Sequence, residues 1–500
     1  MQPETVAAPA AAAPPREFLG HPRGLATLFF TEMWERFSYY GMRALLVLFM
    51  VDQVERGGLG FTDQAATAIS GLYTAAVYVV AVPGGWIADR LWGAQRAVWF
   101  GGIVIMTGHF VLAIPGITSF FLGLMLVVFG TGLLKPNISA IVGELYAPGD
   151  PRRDAGFTIF YMGINLGAAL GPLVCGWLAQ TNWHYGFAAA GVGMLAGLVQ
   201  FALTRGALGE AGREPGAMAT PRVKRVAWGT VAVTVVLALV LLWAGVAGLV
   251  GFDAPLLARW AALATAIATV GYFAFVFIAG RLDRVERNRM IVILVLLFGC
   301  AMFWAGFEQA GSSLNLFAQR YTERTFGGFT IPAQWFQSLN PIFIITLAPI
   351  YSMVWVALAK RHLEPSAPAK FAFGLILLGL GFAIMIGAAS LVAAGNQVLP
   401  TWLFFTYLLH TMGELALSPV GLSSVTKLAP RRYVGQMMGL WFMASGLGNI
   451  IAGVIAGRFD PEQLDQMPAL YTQIVLTSIG CGMVIAILVK PLKRLMGEAK

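Results

Sequence analysis

The stretch Thr31-Glu32-Met33-Trp34-Glu35-Arg36-Phe37-Ser38-Tyr39-Tyr40-Gly41-Met42-Arg43 decides how the rest of the chain is read. It lies inside an apolar run, with Leu25 to Phe30 before it and Ala44 to Val51 after it. Glu32, Glu35, Arg36, Tyr39, Tyr40 and Arg43 recur at i, i+3, i+4, i+7, i+8 and i+11, a spacing that lines one face of a helix. Near the centre of a bilayer each charge costs on the order of 3 kcal/mol unless it is paired or faces water. A membrane helix with this stripe therefore turns it toward a wet protein interior and away from lipid.

Composition points the same way. The chain is 58% apolar and only 11% charged, where a soluble domain carries about 25% charged residues. That deficit predicts a polytopic membrane protein. The net charge of +9 is assigned to basic cytoplasmic loops and not to nucleic-acid binding. Met1–Pro15 is rich in Ala and Pro and lacks a basic segment ahead of an apolar core. It is expected to be a disordered cytoplasmic tail, not a signal peptide. Cys175, Cys300 and Cys481 sit far apart in apolar segments, and His21, His109, His184, His362 and His410 form no metal-ligand spacing. Neither a disulfide framework nor a metal site is expected.

Apolar segments of membrane length recur to the end of the chain. They predict an all-α protein with fourteen transmembrane helices, at about 24–52, 64–91, 96–115, 118–147, 153–180, 184–205, 224–250, 256–281, 287–322, 333–361, 370–394, 399–427, 432–457 and 469–490. An even number places both termini on one side, and charge selects the cytoplasmic side. With the N-terminus inside, the outer loops hold only Arg56, Arg259, Arg320, Arg324 and Arg458. The inner loops hold nearly all other basic residues, the asymmetry of inside-facing segments. Arg36, Arg43 and Lys135 lie within membrane segments. Gly206–Pro221 is Gly-, Pro- and Ala-rich and is expected to be a linker. The predicted organisation is a tail at 1–20, a six-helix bundle at 21–205, a linker with two extra helices at 206–286, a second six-helix bundle at 287–491, and a tail at 492–500.

A six-plus-six plan is that of major-facilitator transporters, whose substrates bind between the halves near the bilayer midplane. The loop Gly85-Trp-Ile-Ala-Asp89-Arg90-Leu-Trp-Gly93-Ala-Gln95-Arg96 resembles the signature loop of that superfamily. Its last basic pair is replaced by Gln95-Arg96. Glycines permit the tight turn, and the Asp can pair with neighbouring cations and helix ends.

The pattern Glu32-x-x-Glu35-Arg36-Phe37-x-Tyr39-Tyr40-Gly41 resembles the first-helix motif of the proton-dependent oligopeptide transporter (POT/PTR) family. The resemblance covers nearly the whole chain. Phe157 to Leu170, with Asn165 near its centre, is similar to the fifth-helix signature, although Ala169 stands where a larger apolar residue is usual. Gly130 to Asn137 with Lys135, Phe303-Trp304 to Glu308-Gln309, Trp335 to Asn340-Pro341, and Gly413-Glu414 to Ser418-Pro419 resemble the fourth, seventh, eighth and tenth helices. Trp441 falls where the eleventh helix carries a pocket aromatic, and Tyr78 where the second carries a pocket tyrosine. The extra helix pair is similar to that of bacterial members. Plainer readings exist: Asn340-Pro341 as a helix kink, Trp304 and Trp441 as packing, and Tyr73 and Tyr78 as core. Gly130–Lys135 is not a phosphate loop, because no Ser or Thr follows the Lys.

The resemblance implies a proton-coupled symporter for di- and tripeptides in the bacterial cytoplasmic membrane. Arg43, Lys135, Tyr39, Tyr40 and Tyr78 would bind the peptide carboxylate, Asn165, Asn340 and Glu414 the amine, and Trp304 and Trp441 would wall side-chain pockets. Glu32, Glu35, Arg36 and Glu308 would handle the proton. Ion pairs Arg43–Glu308 and Lys135–Glu414 would gate the outside and inside respectively. Charge supports the proton separately. Glu32, Glu35, Glu308 and Glu414 stand against Arg36, Arg43 and Lys135, so a cavity holding all seven becomes neutral on gaining one proton. The implied partners are the peptide, protons and membrane lipids. No cofactor beyond the coupling proton is implied, and a monomer is expected. A transporter of nitrate or another small organic anion stays open, as do an intramembrane enzyme and a channel. The chain shows no nucleophile–base motif, cofactor fingerprint or repeated filter segment.

Overall fold

An apolar segment in a bilayer must satisfy its backbone groups within itself, and the helix is the form that does so. The computed structural model, which describes residues 17–147, 150–215, 220–249, 251–459 and 463–497, is accordingly helical. Its α-helices are α1 Gly24–Val51, α2 Asp63–Ile87, α3 Ala94–Leu112, α4 Ile117–Glu144, α5 Arg153–Ala179, α6 Trp183–Thr204, α7 Pro221–Val246 and α8 Ala254–Ala279. They continue with α9 Arg284–Phe307, α10 Ser313–Tyr321, α11 Leu339–Lys360, α12 Ala367–Ala393, α13 Thr401–Leu428, α14 Val434–Ala456 and α15 Met467–Met496. Among the described residues, 11 helical stretches are long and apolar enough to cross a membrane. The long helices α1, α3 and α13 fall outside that set and are the more polar ones. α1 carries the charged stripe, α3 carries Gln95, Arg96 and His109, and α13 carries His410, Glu414 and Lys427.

α1 packs against α5 and α6, α3 against α4 and α6, and α2 against α4. In the second half α12 packs against α13 and α15, α9 against α14 and α15, and α11 against α13. The halves meet where α2 lies on α14 and α5 on α11. α8 packs against α2 and α14, and α7 touches the first half through Trp228 on Trp92, with ring centroids 5.5 Å apart.

One row of glycines positions the stripe. Gly163, Gly167 and Gly171 of α5 face Phe29, Met33 and Phe37 of α1 in parallel register. A Cβ on Gly163 would lie 2.9 Å from the Phe29 carbonyl oxygen, and one on Gly167 would lie 3.0 Å from Arg36 Cβ. Small residues every four positions let two membrane helices approach backbone to backbone. Here that approach fixes α1 against α5, Arg36 Cβ included, and with it the direction in which the polar residues of α1 point.

Several boundaries differ from expectation. The predicted segment 287–322 is broken: α9 ends at Phe307, a tight turn spans Glu308–Gly311, and α10 resumes at Ser313. The cause is contact, since Gly311 rests on the Arg43 guanidinium, where a Cβ would lie 3.3 Å from Nη2. Segment 333–361 likewise begins as a tight turn, Ala333–Ser338, before α11. Of the expected tail at 1–20, residues 1–16 lie outside the described residues, while Glu17–Phe18 pairs with His21–Pro22. The Phe18 ring packs on Phe29 and Phe30 at 6.1 and 6.4 Å. In the expected C-terminal tail, α15 continues to Met496, and residues 498–500 lie outside the described residues.

The expected linker Gly206–Pro221 is docked over its first part. Gln95 Nε2 donates to the carbonyls of Gly209 and Ala211 at 3.2 and 2.7 Å, and the Gly212 N–H donates to Glu144 Oε2 at 2.7 Å. Gly209 and Gly212 turn the chain back with φ of 57° and 65°, a region glycine enters without steric cost. Residues 216–219 of that linker lie outside the described residues.

Candidate functional site

The stripe folds into a charge cluster on α1. Arg36 Nε lies 3.2 Å from Glu32 Oε1 and also pairs with Glu35. All three side chains are buried, at 2%, 0% and 3% exposure for Glu32, Glu35 and Arg36. The same guanidinium stands 5.0 Å from the Tyr39 ring centroid and 6.0 Å from that of Tyr40. Residues three and four apart on a helix are neighbours, so one cation serves two carboxylates and two aromatic faces. Two carboxylates sharing one buried guanidinium leave a negative charge that a proton or a second cation must balance. Lys135 is the next cation within electrostatic range of Glu32.

A turn further along α1, Arg43 pairs with Glu308 in the turn after α9. This joins the two halves of the molecule. Five other ties lie between the middle of the bundle and the end where α1 finishes. Asn315 Nδ2 donates to the Ala44 carbonyl at 3.0 Å, and Arg320 holds Asp63 with both nitrogens at 2.6 and 2.8 Å. Ser338 Oγ donates to the Ala169 carbonyl at 2.8 Å, Trp335 Nε1 to that of Leu173 at 2.9 Å, and Gln180 Nε2 to that of Thr330 at 3.2 Å. Among the described residues, every hydrogen bond and ion pair between residues 17–208 and 284–497 lies in this part of the depth. The halves are clasped at the Val51 end of α1 and not at the Gly24 end.

The expected Lys135–Glu414 pair is not formed in this conformation. Lys135 Nζ sits 4.9 Å from the Tyr78 ring centroid, and the described residues place no carboxylate within ion-pair distance of it. Glu414 Oε2 instead accepts from Asn340 Nδ2 at 2.9 Å, and the same amide donates to Thr411 Oγ1 at 3.0 Å. The physical reason is the clasp: with the halves tied at one end, the partners expected to meet toward the other end stand apart.

Tyr40 and Tyr161 are both within electrostatic range of Glu414, which sets α1, α5 and α13 around one space. Asn165 borders that group, but its Nδ2 donates to the Tyr161 carbonyl of its own helix at 3.0 Å. Trp304 packs edge-on against Phe303 and Phe307 at 5.8 and 5.2 Å. Trp441 is 5% exposed in this conformation and is seated on Gly421 and Phe371 within the second half. The absence of a side chain at Gly421 opens that seat.

The structure thus gathers the sequence-derived residues into an α1 cluster, an Arg43–Glu308 clasp, a Lys135–Tyr78 contact and a Glu414–Asn340 pair. Sequence alone missed the pairing of Asp63 with Arg320, an outer-loop base 257 positions away. Opposite charge was the only signal available. It also left Tyr73 as ordinary core. Among the described residues, no group of three or more His, Cys, Asp or Glu is placed to hold a metal ion.

Comparison with known proteins gives concordant results. A family model described as PTR2, POT family, matches residues 95–469. The chain is 44% identical to a protein named peptide transporter YePEPT from Yersinia enterocolitica subsp. palearctica, over 97% of each chain. It is 38% identical to a di-/tripeptide transporter of Lactococcus lactis subsp. cremoris, over 97% of this chain and 98% of that one. A crystal structure of a peptide transporter POT in complex with sulfate superposes with a TM-score of 0.90 at 44% identity, covering 97% of this chain and 98% of the other.

Proposed function

The chain belongs to the POT family, and on that premise we propose that it is a proton-coupled symporter that imports di- and tripeptides across the bacterial cytoplasmic membrane by alternating access. Its relatives are transporters, which sets aside the intramembrane enzyme. The polar helices α1, α3 and α13 join the 11 apolar stretches to make fourteen spans with both termini in the cytoplasm. The protein works as a monomer, with the proton as coupling ion and no other cofactor.

The observation that carries the proposal is the Arg43–Glu308 ion pair between halves that, among the described residues, share no polar tie at their other end. With the basic loops cytoplasmic, the clasped end is the outer one and this conformation opens inward. A peptide is a zwitterion. Its carboxylate competes with Glu308 for the Arg43 guanidinium, and charge-assisted bonds of that kind are strong and directional. Protonation of Glu308 removes the same partner. Either event loosens the outer clasp, so proton and substrate act on one element. When the outer end parts, the inner end closes and Lys135 meets Glu414.

In the cavity, Arg43 and Lys135 face the peptide carboxylate, with Tyr39, Tyr40 and Tyr78 as hydroxyl donors. Glu414, Asn340 and Asn165 receive the amine. Trp304 offers an apolar wall, and Trp441 supports the wall from behind. Glu32, Glu35 and Arg36 exchange the proton on the inner part of α1. The membrane potential supplies about 2.3 kcal/mol per proton for each 100 mV. The Glu414–Asn340 pair favours a zwitterion over nitrate or another simple anion, because an acidic acceptor beside the cations suits an ammonium group and repels a second anion.

Proteoliposomes carrying an internal pH dye test the proposal. External dialanine is expected to acidify the lumen in step with its uptake. Uptake with no proton movement would refute symport, and acidification by nitrate but not by dialanine would select the anion transporter.

A further inference from the structure

Tyr73 lies on α2 outside every motif that marks the site. Its side chain is 5% exposed, and its hydroxyl has no hydrogen-bond partner. The ring stacks on Tyr39 at 6.3 Å with 23° between planes, and Tyr39 in turn carries the Arg36 guanidinium on its face. Glu35, Arg36, Tyr39 and Arg43 are all within electrostatic range of the Tyr73 hydroxyl. The other helices against α2 carry few charged or titratable groups. α14 has no charged residue, α4 places Lys135 over Tyr78 and Glu144 on Gly212, α3 carries Arg96 near its start and His109 near its end, and α8 carries Arg259 near its start.

The hydroxyl is not alone in lacking a partner. Glu35 Oε1, Arg36 Nη2 and Arg43 Nε are also buried and without a hydrogen bond. These three atoms surround the two ion pairs of the site, and each needs something different. The carboxylate oxygen needs a donor and the guanidinium nitrogens need acceptors. A phenol hydroxyl supplies both, and that of Tyr73 is itself buried and unpartnered. Burying a polar group unpaired is costly, and a Phe at position 73 would keep the stacking on Tyr39 without that cost. Packing alone does not account for the hydroxyl.

We propose that Tyr73 is a positioning residue for proton coupling, its hydroxyl linking the Glu35–Arg36 cluster to the Arg43–Glu308 clasp. The role rests on the symport function proposed above. With Arg43 on Glu308, as here, the Tyr73 hydroxyl is bonded to neither group. When Arg43 leaves Glu308, its guanidinium loses an acceptor, the phenol oxygen takes that place, and the hydroxyl rotates its proton toward Glu35 Oε1. The rotation signals the state of the clasp to the carboxylates that hold the proton. No bond is made or broken at Tyr73, and the ring stays on Tyr39 throughout.

The test is Tyr73→Phe in proteoliposomes, with wild type alongside. Uptake of dialanine driven by an inward proton gradient is expected to fall about tenfold, the effect of losing one hydrogen bond to a charged group. Counterflow exchange of dialanine, which needs no net proton movement, is expected to persist, and the pH profile of driven uptake to shift. Tyr73→His, which restores a donor and an acceptor, is expected to recover part of driven uptake, and Tyr73→Leu is not. Wild-type values for Tyr73→Phe in driven uptake and pH profile would overturn the inference alone. An equal loss of driven uptake and counterflow would also overturn it, by showing a general structural role. Absence of driven uptake in wild type would remove the symport function and this role with it.

Discussion

Arg43 and Glu308 are 265 positions apart in sequence and joined in space, and among the described residues theirs is the one ion pair that ties the charged stripe of α1 to the opposite half of the molecule. Arg320 and Asp63 form a second cross-half pair, nearer the end of the bundle and with two nitrogens engaged. The two clasps differ in what can open them. The first lies among the residues proposed to bind substrate, whereas Arg320 is 26% exposed and Asp63 10%. On the proposed mechanism Arg43–Glu308 answers to peptide and proton, and Asp63–Arg320 sets how readily the closed end parts.

Reversing one charge of the Asp63–Arg320 pair is therefore expected to favour the outward-open form. Asp63→Arg should slow uptake by roughly tenfold, since an unpaired, partly buried charge loses bonds worth about 1.5–3 kcal/mol. Combining it with Arg320→Asp should restore most of the rate. Fluorescence transfer between labels on the α1–α2 and α9–α11 outer loops would report the closure directly, and failure of the double variant to recover would show that the pair does not act as a clasp.

Glu35→Gln removes one of the two carboxylates on Arg36. Gradient-driven uptake is expected to fall by a factor of ten or more, on the scale of about 1.5–3 kcal/mol for a charged hydrogen bond, with counterflow spared. Arg36→Ala should behave in the same way. Driven uptake equal to wild type in either variant would take the α1 cluster out of the proton pathway.

Lys135 and Glu414 stand apart in this conformation and are expected to meet when the inner end closes. Cysteines placed at both positions should cross-link slowly here and faster in a variant whose Arg43–Glu308 clasp is removed by Glu308→Ala. Lys135→Ala should impair transport through both of its proposed roles. Equal cross-linking in the two backgrounds would separate the two ion pairs mechanically.

Asn340 donates to Glu414 and Thr411, so Asn340→Ala leaves the carboxylate without its neutral partner. Peptides with a free amine should lose affinity about tenfold, the loss of one charge-assisted hydrogen bond, while N-blocked peptides lose little. Competition against labelled dialanine measures both. Parallel losses would place Asn340 away from the amine.

Much of the site was legible before any coordinates. The i, i+3, i+4 spacing of Glu32, Glu35 and Arg36 required a shared helix face, and the structure shows the cluster. Opposite charge and motif resemblance anticipated Arg43–Glu308. The same criteria gave no access to Asp63–Arg320, because nothing local relates two charges so far apart. Nor did they give the seat of Trp441 on Gly421, because packing between two helices forms it.

By itself, the sequence determined that the chain is a helical membrane protein with a polar interior, because charges in an apolar span are tolerated only when they face one another or water. It also determined which side chains are paired along a single helix, since the helical repeat sets those distances. Only the tertiary structure decided which end of the bundle is closed. That depends on contacts between halves, and a residue's type does not reveal which of two alternative partners it holds. Lys135 makes the point. Its charge called for a carboxylate, and in this conformation the clasp at the other end leaves it on Tyr78 instead.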